Sequence, residues 1–323
     1  MAAARSTAAV LATLAVTVAI SACDGGTPAP KTGGSATAAT TPNGSASPTP
    51  SAPAPSPTAT VPLTACPTTP HPAADLPVII RGGQPDDLAT GPDGALWISD
   101  VSTKLVTRVV GGTVVRTIRN LADPEGIVPL ANGDLLVAEQ TRDRVLVVRP
   151  DNSSTVLLTL PPSGVQLGVD GIALDAAGQR VIVPDSPHGT LLAGSLGQPG
   201  ATPATLATGL GRPVGAAVAG DGTIWLAAEN EAPRGLFRVD RSGAVSAVGN
   251  LVQLDDIVLL GGLVYATDLR NHSVHAVDPA TGADRILATG FVQPQGLTAL
   301  PDGGLAVADP NRSVVQRIPA CGG

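Results

Sequence analysis

The chain has 323 residues, a net charge of −7 and only 14% charged residues, which excludes the broad basic surface of a nucleic-acid-binding protein. Hydrophobic residues make up 43% of the chain and aromatic residues 2%, alongside 38 glycines and 31 prolines. This composition favours many short strands that are packed with Val, Leu, Ile and Ala and separated by turns.

The chain begins with an apolar run, "AAVLATLAVTVAI" at residues 8–20, which is short for a membrane span. The run ends in "ISAC", and residues 1–22 therefore indicate an export signal rather than part of the fold. These four residues resemble the bacterial lipobox, with Ile20 in place of the usual Leu. The resemblance implies cleavage after Ala22, a lipid on Cys23 and a cell-membrane protein that faces the extracytoplasmic side. An ordinary secretory signal is the alternative.

The segment 23–65 consists almost entirely of Pro, Ser, Thr, Ala and Gly. Such a segment buries too little apolar surface to offset the entropy lost on ordering, so we predict a disordered linker. A flexible coil of this length spans roughly 35–40 Å. The folded domain is then predicted over residues 66–323.

Two of the three cysteines, Cys66 and Cys321, flank the predicted folded domain. In an oxidising, exported setting we expect them to form a disulfide. Two free thiols near the ends of the domain are the alternative.

One phrase recurs six times between residues 85 and 309. Each copy has a Pro-x-Gly-like start, a short apolar strand, a turn that is often Asp-Gly or Asn-Gly, a second apolar strand and a closing acid. The closing acids are Asp100, Glu139, Asp185, Glu229, Asp268 and Asp309, spaced 39 to 46 residues apart. A period near 40 residues with strands and turns predicts a β-propeller, with one four-stranded blade per repeat.

The last repeat has no room for a fourth strand, because the chain ends at "RIPACGG". The segment "LPVIIRGG" at 76–83 stands before the first repeat, where a fourth strand belongs. We predict that it completes the sixth blade, which closes the ring and removes exposed sheet edges. The predicted fold class is therefore an all-β, six-bladed propeller, with a Cys66–Cys321 bridge locking its closure.

The phrase "PQGLTALPDGGLAVADPNRSVVQRI" at 294–318 resembles an NHL repeat. The wider pattern, over about residues 76 to 320, is similar to six-bladed propellers of the NHL and gluconolactonase (senescence marker protein) superfamily. This resemblance implies the fold. It leaves function open, because propellers host both enzymes and binding modules.

In such propellers the loop entering each inner strand and the polar loop after the second strand lie at one mouth of the central channel. The middle residues of the Pro-x-Gly turns should then form a ring, which consists of Asp86, Glu125, Asp170, Val214, Asp255 and Gln295. Asp87 and Asp256 stand beside this ring where other repeats have Gly. Converging oxygen ligands suit a divalent cation such as Ca²⁺, and clustered carboxylates raise one another's pKa.

The resemblance to gluconolactonases implies a metal held by a Glu in an "EGP"-type turn and an Asp in a "DG"-type turn, with an Asn completing the site. Here "PEGI" supplies Glu125 and "VDGIALD" supplies Asp170. This sequence departs from the pattern, because no Asn occupies a middle position and the two acids lie in adjacent repeats. The enzyme hypothesis assigns Glu125 and Asp170 as catalytic residues and metal ligands, with Asp86 and Asp255 as further ligands, in a metal-dependent hydrolase of lactones or similar esters.

Cationic side chains in or near the polar loops should surround this acidic mouth, namely Arg142, Arg144, Arg234, Arg270 and Arg312. They predict recognition of an anionic ligand or a protein partner, and a mixed solvated face is the alternative. The ligand-binding candidates are Asp86, Asp255, Gln295, His188, Arg142, Arg270 and Arg312. Trp97, Trp225 and Tyr265 occupy equivalent positions on second strands and are predicted core residues.

The leading functional hypothesis is a lipid-anchored, monomeric propeller that serves as a surface binding, scaffold or sensing module. It has no nucleic-acid partner, and its ligand is an unknown small molecule or protein. The metal-dependent hydrolase is the alternative. A deep pocket with converging metal ligands would favour the enzyme, whereas a filled channel mouth would favour the binding module.

Overall fold

The structure is a computed structural model that describes residues 60–162, 164, 168–230 and 234–322. The predicted export signal, the lipidation site Cys23 and the predicted linker up to residue 59 lie outside these residues. No helix in the described ranges is both long enough and apolar enough to cross a membrane.

Six sheets surround a central channel, and each sheet is one blade. In blades one to four the strands run in chain order from the channel outward, whereas blades five and six each carry an outermost strand from the N-terminal segment. Blade one consists of Pro85–Thr90, Leu96–Asp100, Leu105–Val110 and Thr113–Ile118. Blade two consists of Pro124–Pro129, Leu135–Glu139, Arg144–Val148 and Ser154–Thr159. Blade three consists of Ala173–Leu174, Arg180–Asp185, Thr190–Ser195 and Ala204–Thr208.

The second half of the ring repeats the same order. Blade four consists of Pro213–Val218, Ile224–Ala228, Leu236–Val239 and Val245–Ala247. Blade five consists of Leu254–Leu260, Leu263–Asp268, Ser273–Val277 and Asp284–Thr289. Blade six consists of Leu297–Ala299, Leu305–Asp309, Val314–Ile318 and, as its outermost strand, Val78–Arg81. Short 3₁₀ helices are Leu63–Ala65, Ala73–Asp75, Gln140–Arg142, Ser186–His188 and Pro310–Arg312.

The ring closes as the sequence predicts. Val78–Arg81 pairs antiparallel with Val314–Ile318, with Val78 opposite Gln316 and Arg81 opposite Val314. The outermost strand of blade six thus comes from the start of the domain and its inner three strands come from the end. Because this pairing joins the two ends of the domain by main-chain hydrogen bonds, the six-bladed propeller is confirmed together with its mode of closure.

The N-terminal segment adds contacts that the repeat pattern does not predict. His71–Pro72 pairs in parallel with Asp284–Thr289 and forms a fifth strand of blade five. The Val61 N–H donates to the Gly261 carbonyl over 2.8 Å, so the chain meets the ring before residue 66. Cys66 and Cys321 form a disulfide that joins residues 255 positions apart in sequence.

The core lies between neighbouring blades and is built from the aliphatic residues that the composition predicts. Ile182 and Leu191 of blade three, for example, pack with Leu226 of blade four, and all three are fully buried. Burying such a side chain stabilises the fold by roughly 1.5–3 kcal/mol. The predicted core aromatics are also buried, with Trp97 and Trp225 5% exposed and Tyr265 1% exposed.

Strand register defines the two faces of the ring. Pro85 lies opposite Asp100, Pro124 opposite Glu139 and Leu254 opposite Asp268, so each inner strand begins at the edge where the second strand ends. We call the face with these turns and closing acids the polar face. The opposite face carries the tight turns between inner and second strands, and we call it the turn face.

Candidate functional site

Six carboxylic side chains line one small cavity in the central channel. They are Asp86, Asp87, Glu125, Asp170, Asp255 and Asp256. The cavity has a volume of about 10 Å³, which is room for about one water molecule. The structure thus brings together four of the predicted ring acids and both acids beside them, whereas Gln295 of the predicted ring does not line the cavity.

The glycine of each Pro-x-Gly turn explains why these acids converge. The Gly126 N–H donates to the Asp170 carbonyl over 3.1 Å, and the Gly296 N–H donates to the Asp86 carbonyl over 2.8 Å. A Cβ added at Gly296 would lie 2.3 Å from the Asp86 oxygen. Neighbouring blades therefore touch backbone to backbone at these glycines, and only a residue without a side chain permits it.

Asp87 and Asp256 replace this glycine contact with side-chain bridges between blades. Asp87 accepts from the Leu88 N–H over 2.7 Å and from the Ile127 N–H of blade two over 3.2 Å. Asp256 accepts from the Ile257 N–H and from the Leu297 N–H of blade six, both over 2.7 Å. Both carboxyl groups are thus occupied in holding adjacent blades together.

Burial and mutual repulsion raise the pKa of every acid in the cavity. Burial raises the pKa of Asp87 to about 7, and it raises the pKa of Asp170 to about 7 with further help from the Asp86 charge. Burial, followed by neighbouring carboxylates, also raises the pKa values of Glu125, Asp255 and Asp256 well above their usual range. The pKa of Asp86 is raised as well, again chiefly by burial.

The acids of the cavity interact in two pairs. Interaction with Asp86 raises the pKa of Glu125, and interaction with Asp87 raises the pKa of Asp256. An ionised carboxylate only accepts hydrogen bonds, so a hydrogen bond between two carboxyl groups requires a proton on one of them. The raised pKa values and this pairing favour a proton on one carboxyl group of each pair, and we call this set of six acids the acidic hub.

The hub as arranged does not fit the metal site that the gluconolactonase resemblance implies. In the ranges the structure describes, no three His, Cys, Asp or Glu side chains are grouped so that they could hold one metal ion. Glu125 interacts directly with Asp86. No hydrolytic step is therefore derived through a metal at these residues.

Blade four departs from the repeat. The register places Pro213 opposite Ala228, so Glu229 lies one residue beyond the closing position that the sequence pattern assigned to it. The closing position of blade four is therefore Ala228, which is not an acid. Asn230 takes over the structural role of the closing acid by accepting from the Arg212 N–H over 2.8 Å. The prediction of Glu229 as the closing acid was wrong by one position, because Glu229 is the acid nearest to it in sequence.

This departure places an ion pair beside the hub that sequence reasoning missed. The Arg212 guanidinium contacts Glu229 and lies 4.0 Å from the Asp170 carboxylate. Its charge lowers the pKa of Asp170 against the larger effect of burial. The signal in the sequence was the lone apolar ring member, Val214, which is preceded by Arg212 in the same turn.

The cationic candidates lie around the polar face rather than in the cavity. Arg142 is exposed, Arg270 donates to Gln253 over 3.2 Å, and Arg312 lies 3.7 Å from the buried Asp309. The Nδ1 atom of His188 lies 2.8 Å from Asp185, with 38% of the His188 side chain exposed. These residues form a separate outer set.

A buried Ser–His–Asp chain in blade five also escaped the sequence analysis. Ser273 Oγ lies 2.9 Å from His275 Nε2, and His275 Nδ1 lies 2.7 Å from Asp284. Ser273 is completely buried, so no substrate can reach its hydroxyl. These three side chains therefore connect neighbouring strands of blade five and do not form a nucleophilic site.

The fold and this centre define a six-bladed β-propeller with six carboxyl groups in its central channel. Among solved structures, the chain is similar to a streptogramin B lyase (TM-score 0.57, 13% identity, 76% of this chain and 94% of that chain). It is also similar to virginiamycin B lyase from Staphylococcus aureus (TM-score 0.57, 16% identity, 74% and 81%). A third similar structure is a nidogen/laminin complex (TM-score 0.56, 19% identity, 66% and 84%).

These similarities establish the fold and nothing finer, because the identities are low. No protein-family model matches the sequence, and no curated protein matches it.

Proposed function

We propose that this protein is a surface binding module rather than a hydrolase, and that its partner contacts the polar face of the ring. One observation carries the proposal: the cavity that Glu125 and Asp170 line has a volume of only about 10 Å³. A ligand site for a small organic molecule has a volume of roughly 300–1,000 Å³. A lactone therefore has no room beside Glu125 and Asp170.

The electrostatics of the polar face favour a partner with anionic groups. Arg142, Arg270 and Arg312 are exposed on loops of blades two, five and six. Asp86 and Glu125, near the channel axis, are buried and have raised pKa values, whereas these three arginines are exposed to an approaching partner. We further propose that a lipid on Cys23 holds the module at the extracytoplasmic surface of a cell membrane.

The test is binding of a synthetic acidic peptide, such as a fluorescent glutamate decamer, to the full chain. The expected result is saturable binding that weakens as salt rises, because screening reduces attraction between exposed charges. Replacing Arg142, Arg270 and Arg312 together by Gln should weaken binding at least tenfold. The net charge of −7 opposes non-specific attraction, so binding has to arise from a local cationic surface.

A matched triple variant controls for the loss of charge. Arg149, Arg180 and Arg285 lie at strand ends of the turn face, and their replacement by Gln removes the same charge there. Equal weakening by both triple variants would overturn the proposal. So would turnover of a panel of γ- and δ-lactones that is lost in Glu125→Gln, since that result would establish the hydrolase.

A further inference from the structure

The only two tryptophans of the chain line two equivalent grooves on the turn face. Trp97 lines a groove of about 500 Å³ between blades one and two. Trp225 lines a groove of about 650 Å³ between blades four and five. These volumes lie in the range of ligand sites, unlike the cavity at the hub. In a ring of six blades the two grooves stand half a turn apart.

The two grooves share their chemistry as well as their position. In each, the tryptophan on the second strand lies directly opposite an arginine on the third strand. Each also has an acid from the tight turn and a proline from the next blade. These residues are Asp93, Trp97, Arg108 and Pro150 in the first groove, and Asp221, Trp225, Arg238 and Pro279 in the second. The other four blades lack the Trp–Arg pair.

Both tryptophans have an indole N–H without a partner. Each residue is 5% exposed, and neither Nε1 donates a hydrogen bond to another described residue. Among described side chains, the one fully enclosed polar atom without a partner is Oε1 of Gln316, so both indole nitrogens must reach the groove surface. A largely buried Trp N–H usually has an acceptor. The missing acceptor in each groove points to a ligand.

The accessible edge of each indole selects the kind of ligand. The Arg116 guanidinium lies 5.5 Å from the centre of the Trp97 ring and covers one of its faces. Because each tryptophan is only 5% exposed, neither ring offers a face on which a sugar could stack. An N–H at the edge of the ring instead suits a carbonyl oxygen. The groove walls are apolar beside it, with Pro129 and Leu130 in one groove and Leu259 and Leu260 in the other.

We infer that the two grooves bind extended, proline-rich peptides. A polyproline II segment presents carbonyl oxygens as acceptors, has no N–H at proline, and packs its rings against apolar walls. In each groove the indole N–H donates to a peptide carbonyl, and the arginine beside it donates to a second one. This surface is on the face opposite the polar face, so it goes beyond the function proposed above and stands independently of it.

The two tryptophans make the test direct, because intrinsic emission reports only these grooves. In full-length Trp97→Phe, all tryptophan emission comes from Trp225, and decaproline is titrated into this variant. We expect a saturable change in emission. Adding Arg238→Gln should weaken binding at least fivefold, whereas Arg180→Gln should leave it unchanged. Arg180 lies in a third groove, between blades three and four, where Ile182 takes the place of tryptophan.

Two further measurements keep the result interpretable. The reciprocal variant, Trp225→Phe, should bind decaproline through Trp97, and thermal unfolding must show that each variant is folded. No emission change with decaproline at millimolar concentration in either variant would overturn the inference. A change produced by chitooligosaccharides but not by decaproline would also overturn it, and would assign the grooves to carbohydrate. Equal weakening by Arg238→Gln and Arg180→Gln would refute a role for the Trp–Arg pair.

Discussion

The substitution Asp87→Asn should make the free energy of unfolding less dependent on pH. Its effect on stability should be unfavourable in acid and favourable in alkaline conditions. The pKa of Asp87 is about 7 in the fold, against an ordinary value of 3.8. A carboxyl whose folded pKa is raised contributes its full stability below pH 3.8, and that contribution is lost as pH rises through 7. A rise of about three units corresponds to ~4 kcal/mol of unfolding free energy between pH 4 and pH 8.

The Asp87→Asn variant also loses stability at every pH, because it loses a hydrogen-bond acceptor. Asp87 accepts from the N–H groups of both Leu88 and Ile127, whereas Asn has only one acceptor oxygen. One buried N–H is left unpaired, which costs ~1–3 kcal/mol. The wild-type chain should therefore be the more stable at pH 4, and Asp87→Asn should be the more stable at pH 8.

Urea unfolding followed by tryptophan emission measures this crossing, with the disulfide kept intact. The matched control is Asp278→Asn, on an exposed turn where the Ala280 N–H lowers the pKa of the carboxyl. That control should show no crossing, because a lowered pKa gives stability that is lost towards acid. Parallel stability curves for the wild type and Asp87→Asn between pH 4 and pH 8 would refute the assigned role of the hub.

Three further predictions concern the ring and its centre. Replacing both Cys66 and Cys321 by Ser should lower the free energy of unfolding by up to roughly 5 kcal/mol, since the bond closes a very long loop; an unchanged urea midpoint would contradict this. Gly296→Ala forces a Cβ against the Asp86 carbonyl and should cost ~1–3 kcal/mol or more, whereas Gly220→Ala, with open space around it, should shift the midpoint little. Arg212→Gln removes a cation beside Asp170, so the pKa of Asp170 should rise further in a carboxyl ¹³C NMR titration, and a fall would be inconsistent with the ion pair.

The fold could be predicted from the sequence because the same sequence pattern occurs in every blade. Each of six copies carries the same turn and strand signals, and the ring closure follows from the strand missing after the last copy. The parallel strand His71–Pro72 could not be foreseen, since two residues without a repeat partner carry no periodic signal.

The positions of the acids in the candidate site could be predicted from the sequence, but their hydrogen-bond partners could not. The positions of Asp86, Glu125, Asp170 and Asp255 follow from the repeat. That Asp87 and Asp256 act as bridges between blades depends on which N–H groups of the next blade face them, which only tertiary structure decides. The unpartnered indole nitrogens were likewise invisible, because tryptophan at a core position gives no hint of its missing acceptor.

The most direct test of the central claim is metal content at pH 7, by equilibrium dialysis of the full chain against Ca²⁺, Mg²⁺, Mn²⁺ and Zn²⁺. If the acidic hub is a proton-sharing structural centre, the chain should bind no ion stoichiometrically, and Glu125→Gln and Asp170→Asn should behave as the wild type does. One ion per chain, lost in both variants, would contradict that account and would return Glu125 and Asp170 to the role of metal ligands.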